Sequence, residues 1–374
     1  MRWIFWAAAA MIAYAYFGYA AWLWVCSRWR RRPIRHGAST PFISIVMVVH
    51  NEETVLQRKL KNILQLNYPQ ERTEVVVISD GSIDGTNSIL RESAATPHMR
   101  CILSPESRGK AAGLNEAIGA AAGEIVVFTD ARQRIEPDAV RFLLENFADP
   151  EVGCVSGELM LGDPDSGETT QGLGLYWQIE KKIREMESAA GSVIGATGAL
   201  YAVRRSLLVK LPPETVLDDL YIPMHVLRQG ARVVFDSRAR VWDIPDQGTK
   251  REFARKVRTL SGNYQLLRLS PWLLGSANPA RFGFVSHKLI RLFVPFALVA
   301  LFLSSILLAG TFYRLSLLVQ LAFYGLGAWA FLGPKGGGAL ARIADVAFTL
   351  VLLNTAAVVA LANFVTRRRV VWAR

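Results

Sequence analysis

Two single carboxylates each close a short apolar run. Asp80 follows Glu74-Val75-Val76-Val77-Ile78-Ser79, and Asp130 follows Glu124-Ile125-Val126-Val127-Phe128-Thr129. Runs rich in Val and Ile, without helical period, read as strands buried on both faces of a parallel sheet. Ligands of open α/β sheets sit outside the carboxyl ends of the strands. Two carboxylates at such ends predict a crevice that holds a metal-bound phosphate compound. One Asp in such a place is more often a cap or a turn residue, but the pair favours a site. Lys110, in Arg108-Gly109-Lys110-Ala111-Ala112-Gly113-Leu114-Asn115, opens a predicted helix. Helix N-termini attract anions, and the lysine would add a point charge for phosphate. Any single lysine is more commonly solvated. Asp218 and Asp219 are adjacent at another predicted helix start. They are expected to diverge, one capping the helix and the other free for chemistry.

The elements that must position these residues follow a regular cadence. Ile43 to Val49 is a buried-type strand, and Glu53 to Leu66 has helical spacing. The strand ending at Asp80 runs into a turn bracketed by Gly81 and Gly85, with Asp84 as a helix cap. Cys101-Ile102-Leu103 and Val152 to Glu158 are further strands. Strand, helix, strand, helix predicts a mostly parallel sheet with right-handed crossovers. Gly172 to Ser188 reads as a charged amphipathic helix, and Gly195 to Tyr201 as a small-residue loop where backbone can approach a ligand.

Composition sets the surroundings. The chain has 374 residues, is 51% hydrophobic and carries a formal charge of +12. The arginines cluster beside long apolar segments, which points to a membrane surface and not to nucleic acid. Three unpaired cysteines predict neither a disulfide framework nor a zinc site. Trp3 to Val25 is uncharged, long enough to cross a bilayer, and has tryptophans near both ends. It is followed by Arg28, Arg30, Arg31, Arg32 and Arg35, so the positive-inside rule puts the next domain in the cytoplasm. Three more uncharged runs, Leu292 to Gly310, Leu315 to Pro334 and Val346 to Thr366, also have crossing length. Three crossings would leave the C-terminus outside, whereas Arg367, Arg368, Arg369 and Arg374 argue for an inside tail. Either one run is re-entrant or interfacial, with Gly-rich Leu315 to Pro334 the best candidate, or the tail is an exception. Between these parts, Phe253, Val257, Leu260, Tyr264 and Leu267 share one helical face opposite Arg251, Arg255 and Arg258. That pattern fits an interfacial helix with its apolar face to acyl chains, or an ordinary helix packed on the domain.

Four motifs in order carry a family resemblance. Val-Val-His-Asn-Glu-Glu, Ile-Ser-Asp-Gly-Ser-Ile-Asp-Gly-Thr, Gly-Lys-Ala-Ala-Gly-Leu-Asn and Phe-Thr-Asp-Ala-Arg resemble the nucleotide-sugar half of a family 2 glycosyltransferase. The membrane-integrated members, polysaccharide synthases of the cellulose, chitin and hyaluronan type, are the similar ones. The resemblance implies an α/β fold of GT-A type, flanked by one N-terminal and about three C-terminal transmembrane helices. It implies that Glu53 and Asp80 meet the nucleotide base and ribose, that Lys110 meets the phosphates, and that Asp130 binds Mg²⁺ or Mn²⁺ as the first acid of an Asp-X-Asp motif. The second acid is Arg132 here. Gly198 and Asp218 fall on the acceptor side, and Asp219 matches the catalytic base. Lys256-Val257-Arg258-Thr259-Leu260 resembles a degenerate Gln-X-X-Arg-Trp motif, which makes Arg258 a further donor-site residue but leaves Thr259 in place of the tryptophan.

The expected organisation is an anchor over 1–27, a basic linker over 28–42, and a cytoplasmic GT-A domain over 43–247. Amphipathic interfacial helices follow over 248–285, then a membrane region over 286–374. The expected activity is inverting transfer from a nucleotide-sugar, a UDP-sugar, to a polysaccharide or lipid-linked acceptor at the plasma membrane, with membrane lipids as the surroundings. Single transfer to a lipid phosphate, or a non-catalytic nucleotide-sugar-binding partner of another synthase, are the alternatives. A transporter is disfavoured, because the apolar runs lack the internal charges of a transport path.

Overall fold

The computed structural model describes residues 1–163, 168–169, 174–244, 249–333 and 338–366. Its first element is a single apolar rod. Helices α1 (Arg2–Ala13) and α2 (Tyr19–Trp29) join through one wider turn, Tyr14–Gly18. The soluble part then alternates: β1 (Ile43–Val49), α3 (Glu53–Leu64), β2 (Thr73–Asp80), α4 (Thr86–Ser93), β3 (Met99–Ser104), α5 (Lys110–Ala120), β4 (Ile125–Thr129). Short β5 (Arg134–Ile135) and α6 (Ala139–Glu145) lead to long β6 (Val152–Asp163), then β7 (Glu168–Thr169) and α7 (Gly174–Ala190). β8 (Leu200–Arg204), α8 (Asp218–Arg228), β9 (Arg232–Asp243) and α9 (Thr249–Leu269) complete it.

The strands form one sheet in the order β3-β2-β1-β4-β8-β6-β9-β5, with β7 paired to β6. The four strands read from apolar runs at the N-terminal side are parallel, as expected. Beyond β4 the sheet is mixed. β8 is antiparallel to both β4 and β6, while β6 and β9 are parallel. This insertion ends the simple crossover cadence, and it places the loop before β8 beside the end of β4. All seven residues of β1 are buried, because both faces of the sheet are covered. Side chains alternate between two cores. Val46, Val48, Val126 and Phe128 face one, with Leu114 and Tyr201. Ile45, Met47, Val75 and Val127 face the other, with Leu56 and Leu60. Helix α5 lies so close to β1 that a Cβ on Gly113 would come 2.7 Å from Val48 Cγ1.

Four helices are long and apolar enough to cross a membrane: Arg2–Trp29, Arg281–Leu307, Thr311–Leu332 and Ala339–Val365. Within the second, α10 (Arg281–Phe284) passes through the turn Val285–Leu289 into α11 (Ile290–Leu307). The others are α12 (Thr311–Leu332) and α13 (Ala339–Val365). The stretch read as the best re-entrant or interfacial candidate is a continuous helix up to Leu332. Pro334 and the arginines at 367–369 and 374 lie outside the described residues.

These helices are continuous with the soluble core. Phe284, Leu292 and Ala360 belong to the same buried cluster as Val48 and Leu220. Part of the apolar face of α9 packs on protein. Val257 and Tyr264 are buried, Tyr264 stacks on Phe364 with ring centroids 5.6 Å apart, and Gln265 Nε2 donates to Glu214 O at 2.6 Å. These contacts are those of a packed helix along Val257 and Tyr264. Periodicity could not decide this, since a protein interior and a lipid tail are equally apolar. The contact also brings the C-terminal end of α13 to the soluble domain's side, in agreement with the side that the arginine tail argued for. The basic linker docks on protein as well: Arg32 donates its backbone N–H to Ala189 O at 2.8 Å and pairs with Glu151 at 2.9 Å.

A charged joint fastens α7 to the membrane helices. His287 Nδ1 lies 2.8 Å from Glu187 Oε1, and its Nε2 lies 2.9 Å from Glu180 Oε1, both within hydrogen-bonding distance. Tyr19 OH donates to Glu187 Oε1 at 2.8 Å, and Arg291 Nη1 donates to Glu180 Oε2 at 3.1 Å. Burial works to raise the pKa of both glutamates, but His287 outweighs it and holds both below the usual carboxylate range. Their contribution to stability is therefore present above the unfolded glutamate value of 4.5 and is lost as pH falls through the lower folded values. Glu187→Ala leaves the buried His287 ring, Tyr19 OH and the Ile194 N–H without their shared partner and should destabilise the protein by about 1–3 kcal/mol or more. Thermal unfolding in detergent checks this, and an unchanged midpoint would refute the joint.

Candidate active site

The predicted site residues converge at the carboxyl edge of the sheet. Lys110, the first residue of α5, reaches across to two carboxylates. Its Nζ is 3.0 Å from Asp130 Oδ1, just past the end of β4, and 3.2 Å from Asp218 Oδ1 at the start of α8. Burial disfavours the ammonium, but Asp130 and Asp218, with Asp219 behind them, outweigh it and raise its pKa. Asp218 is itself buried and accepts a bond from Tyr201 OH at 3.3 Å. Tyr201 lies flat on Phe128, ring centroids 4.5 Å apart, so β8 and β4 hold it in place together. Sequence reading missed Tyr201 because it took Gly195 to Tyr201 as loop, whereas β8 starts at Leu200.

Asp219 points into the same crevice. Its Oδ2 accepts the Gly198 N–H at 3.1 Å, and its backbone O accepts the Ala196 N–H at 2.7 Å. A Cβ on Gly198 would lie 3.0 Å from that carboxylate oxygen, so a larger residue would have to push the Asp219 side chain aside. Burial and the negative charge of Asp218 push the Asp219 carboxyl up to about 6, against the pull of Lys110. Neither aspartate caps α8, which begins without a side-chain cap. The expectation that neighbours must diverge, one to a cap, is thus corrected. Lys110 holds Asp218 and a backbone amide holds Asp219, which lets both enter one crevice.

Asp80 is fully buried and already engaged. Its Oδ1 accepts the Arg108 N–H at 2.7 Å, and its Oδ2 accepts the Gly109 N–H at 2.9 Å and Ser107 Oγ–H at 2.8 Å. It holds the loop that delivers Lys110. Glu53 sits at the exposed start of α3, where its Oε2 accepts the Gly85 N–H at 2.6 Å. Asp84 caps as expected, with Oδ1 accepting the Thr86 N–H at 3.0 Å. Between them, Asn51 adopts φ 55°, its Oδ1 accepts the Ile83 N–H at 2.9 Å, and it ties the two strand-end turns together. Arg258 lies on α9, half-buried, with no hydrogen bond to this cluster among the described residues.

Asp130 is the one carboxylate of Asp130-Ala131-Arg132, and its side chain is 39% exposed. Lys110 takes one of its oxygens and leaves the other. Divalent cations of the Mg²⁺ class are commonly held by one or two carboxylates together with substrate phosphates. Such an ion fits here, on Asp130 and the oxygens of a bound diphosphate, with Arg132 turned to solvent beside it.

The model of the Glycosyl transferase family 2 domain matches residues 44–211. The poly-beta-1,6-N-acetyl-D-glucosamine synthase of Staphylococcus aureus strain COL is 25% identical over 234 residues, 60% of this chain and 55% of that protein. The synthase of the same name from Staphylococcus epidermidis is 26% identical over 234 residues, 62% of this chain and 56% of that protein. The chain thus spans just over half the length of these relatives. Among solved structures, the mannosyltransferase PcManGT from Pyrobaculum calidifontis, in complex with GDP-Man and Mn²⁺, superposes with a TM-score of 0.73. It is 23% identical, and the superposition covers 98% of this chain and 99% of that one, so the whole fold is shared. Residues 44–211 thus match a glycosyl transferase family 2 domain, set in a fold of GT-A type.

Proposed function

We propose that the protein is an inverting glycosyltransferase that moves a sugar from a UDP-sugar to a polysaccharide or lipid-linked acceptor. The observation that carries this reading is the crevice where Lys110 joins Asp130 to Asp218, with Asp219 beside them and its carboxyl at about 6. A base with a pKa near 6 is ionised at neutral pH yet still basic enough to take a proton in the transition state. Asp219 takes the proton of the acceptor hydroxyl. The hydroxyl oxygen bonds to the anomeric carbon as the bond to the diphosphate breaks on the opposite face, which inverts the centre. Lys110 meets the leaving diphosphate and Asp130 would hold Mg²⁺ or Mn²⁺ there, whose charge would stabilise the leaving group. Asp80 keeps the Lys110 loop in place, and Glu53 lies at the nucleotide end. The names of the synthase relatives make N-acetylglucosamine the first sugar to test. Thr259, where synthases of the resembling type have tryptophan, favours a second reading: one transfer to a lipid phosphate instead of chain elongation.

The proposed place is the cytoplasmic face of the plasma membrane, supported by the arginines at 28–35 and by four helices of crossing length. A membrane-impermeant thiol reagent should not label a surface cysteine placed near Asn87, for example at exposed Glu92, in intact cells; labelling there would put the domain outside.

Substitution separates the two aspartates. Asp219→Asn should bind UDP with near-normal affinity and lose transfer by about a hundred- to ten-thousandfold. Asp218→Asn removes a partner of Lys110 and Tyr201, so it should weaken UDP binding and lower thermal stability. Because the ionised form of Asp219 is the base, wild-type transfer should rise with pH up to about 6 and then level off. Calorimetric UDP binding, set beside product formation, checks all three. A fully active Asp219→Asn would remove the mechanism.

A further inference from the structure

Lys59 lies on the core face of α3, among Leu56, Leu60 and Ile63, and is 2% exposed. An apolar residue is expected on such a stripe. A buried ammonium is costly unless its surroundings give it a purpose, and no carboxylate lies within ion-pairing distance of it among the described residues. Burial pushes its pKa down to about 7, against the charge of Asp130. Its two bonds straddle the turn that carries Asp130. Nζ donates to Thr129 Oγ1 at 2.8 Å on one side and to Gln133 O at 2.8 Å on the other. Thr129 Oγ1, having accepted that bond, donates its own hydrogen to Ala199 O at 2.9 Å. Ala199 follows Gly198, whose N–H holds Asp219 at 3.1 Å.

We infer that Lys59 is a positioning residue that couples the turn of Asp130 to the loop that holds Asp219, and so sets the distance between the donor's diphosphate and the base. The inference rests on the glycosyl-transfer reading. The physical reason is geometric. Asp130 and Asp219 sit on separate elements, on β4's end and α8's start, and nothing covalent near the site joins them. A relay from Lys59 through Thr129 to the loop 198–199 ties both to one buried group. An exposed lysine would exchange partners with water; among the described residues this one bonds to these two oxygens alone. A displacement of about 1 Å between reacting groups lowers rate by about a hundredfold.

The test uses the full chain in detergent, with Lys59→Met, Thr129→Val, the double variant and Thr129→Ser. Each single removal should lower kcat for UDP-sugar transfer by about tenfold or more. It should also raise the Mn²⁺ concentration needed for half-maximal UDP binding, read by calorimetry without turnover. The double variant should be no worse than the worse single, since one relay is broken in all three, and Thr129→Ser should recover most of the loss. A merely structural lysine would lower the unfolding temperature and leave kcat and the Mn²⁺ dependence of the folded protein as they are; that result overturns the inference. If Lys59→Met does not fold, Thr129→Val decides by the same readouts. If wild type neither binds UDP nor transfers a sugar, the glycosyl-transfer reading falls and takes this inference with it, which is distinct from a wild type that works and a Lys59→Met that works equally well.

Discussion

The site depends on one ammonium held between two carboxylates. Asp130, Asp218 and Asp219 crowd one end of the sheet and would repel one another there without a cation. Lys110 supplies it, at 3.0 and 3.2 Å from the first two. Removing one partner from such a buried pairing typically destabilises by about 3–5 kcal/mol, because the other charge is left uncompensated. Much of the surrounding architecture serves that contact. Asp80 spends its whole carboxylate on the loop before Lys110, and Tyr201 steadies Asp218 from the antiparallel strand. On the proposed function, a diphosphate would offer Lys110 a further anionic partner, and the lysine would pass from pairing with Asp130 and Asp218 to holding the donor.

How far the sequence could be read follows from what kind of signal each part leaves. Apolar runs buried on both faces are plain in a sequence, so β1, β2 and β4 and the carboxylates at their ends were legible, as were the four long apolar helices. Lys110 was legible through its place after a glycine at a helix start. β8 was not, because a strand of five residues after a run of small residues looks like loop. The joint entry of Asp218 and Asp219 was not, because it needs Lys110 and the Gly198 amide, which arrive from elements far away in the chain. Lys59 was hidden for the opposite reason: in sequence it is one more lysine on a helix, and only burial reveals it. The partner of α9's apolar face was undecidable from periodicity, since α13 and a lipid tail satisfy it equally.

The soluble and apolar parts are not loosely tethered modules. One buried cluster runs from Val48 in the sheet through Leu220 to Leu292 and Ala360. The ring of His287, at the start of an apolar helix, is hydrogen-bonded to carboxylates on α7. Phe284, in that same entry, packs in the cluster that contains Ile194 and Leu220, which flank Ala196 and Asp219.

The central claim, that the Lys110 crevice is where a nucleotide diphosphate binds, is tested most directly by calorimetric titration of UDP, with Mg²⁺ present, into wild type and Lys110→Met. The account predicts measurable binding by wild type and a loss of affinity of about tenfold or more in Lys110→Met, in keeping with a charged hydrogen bond of roughly 1.5–3 kcal/mol. Equal affinity in the two proteins, with both folded, would contradict it.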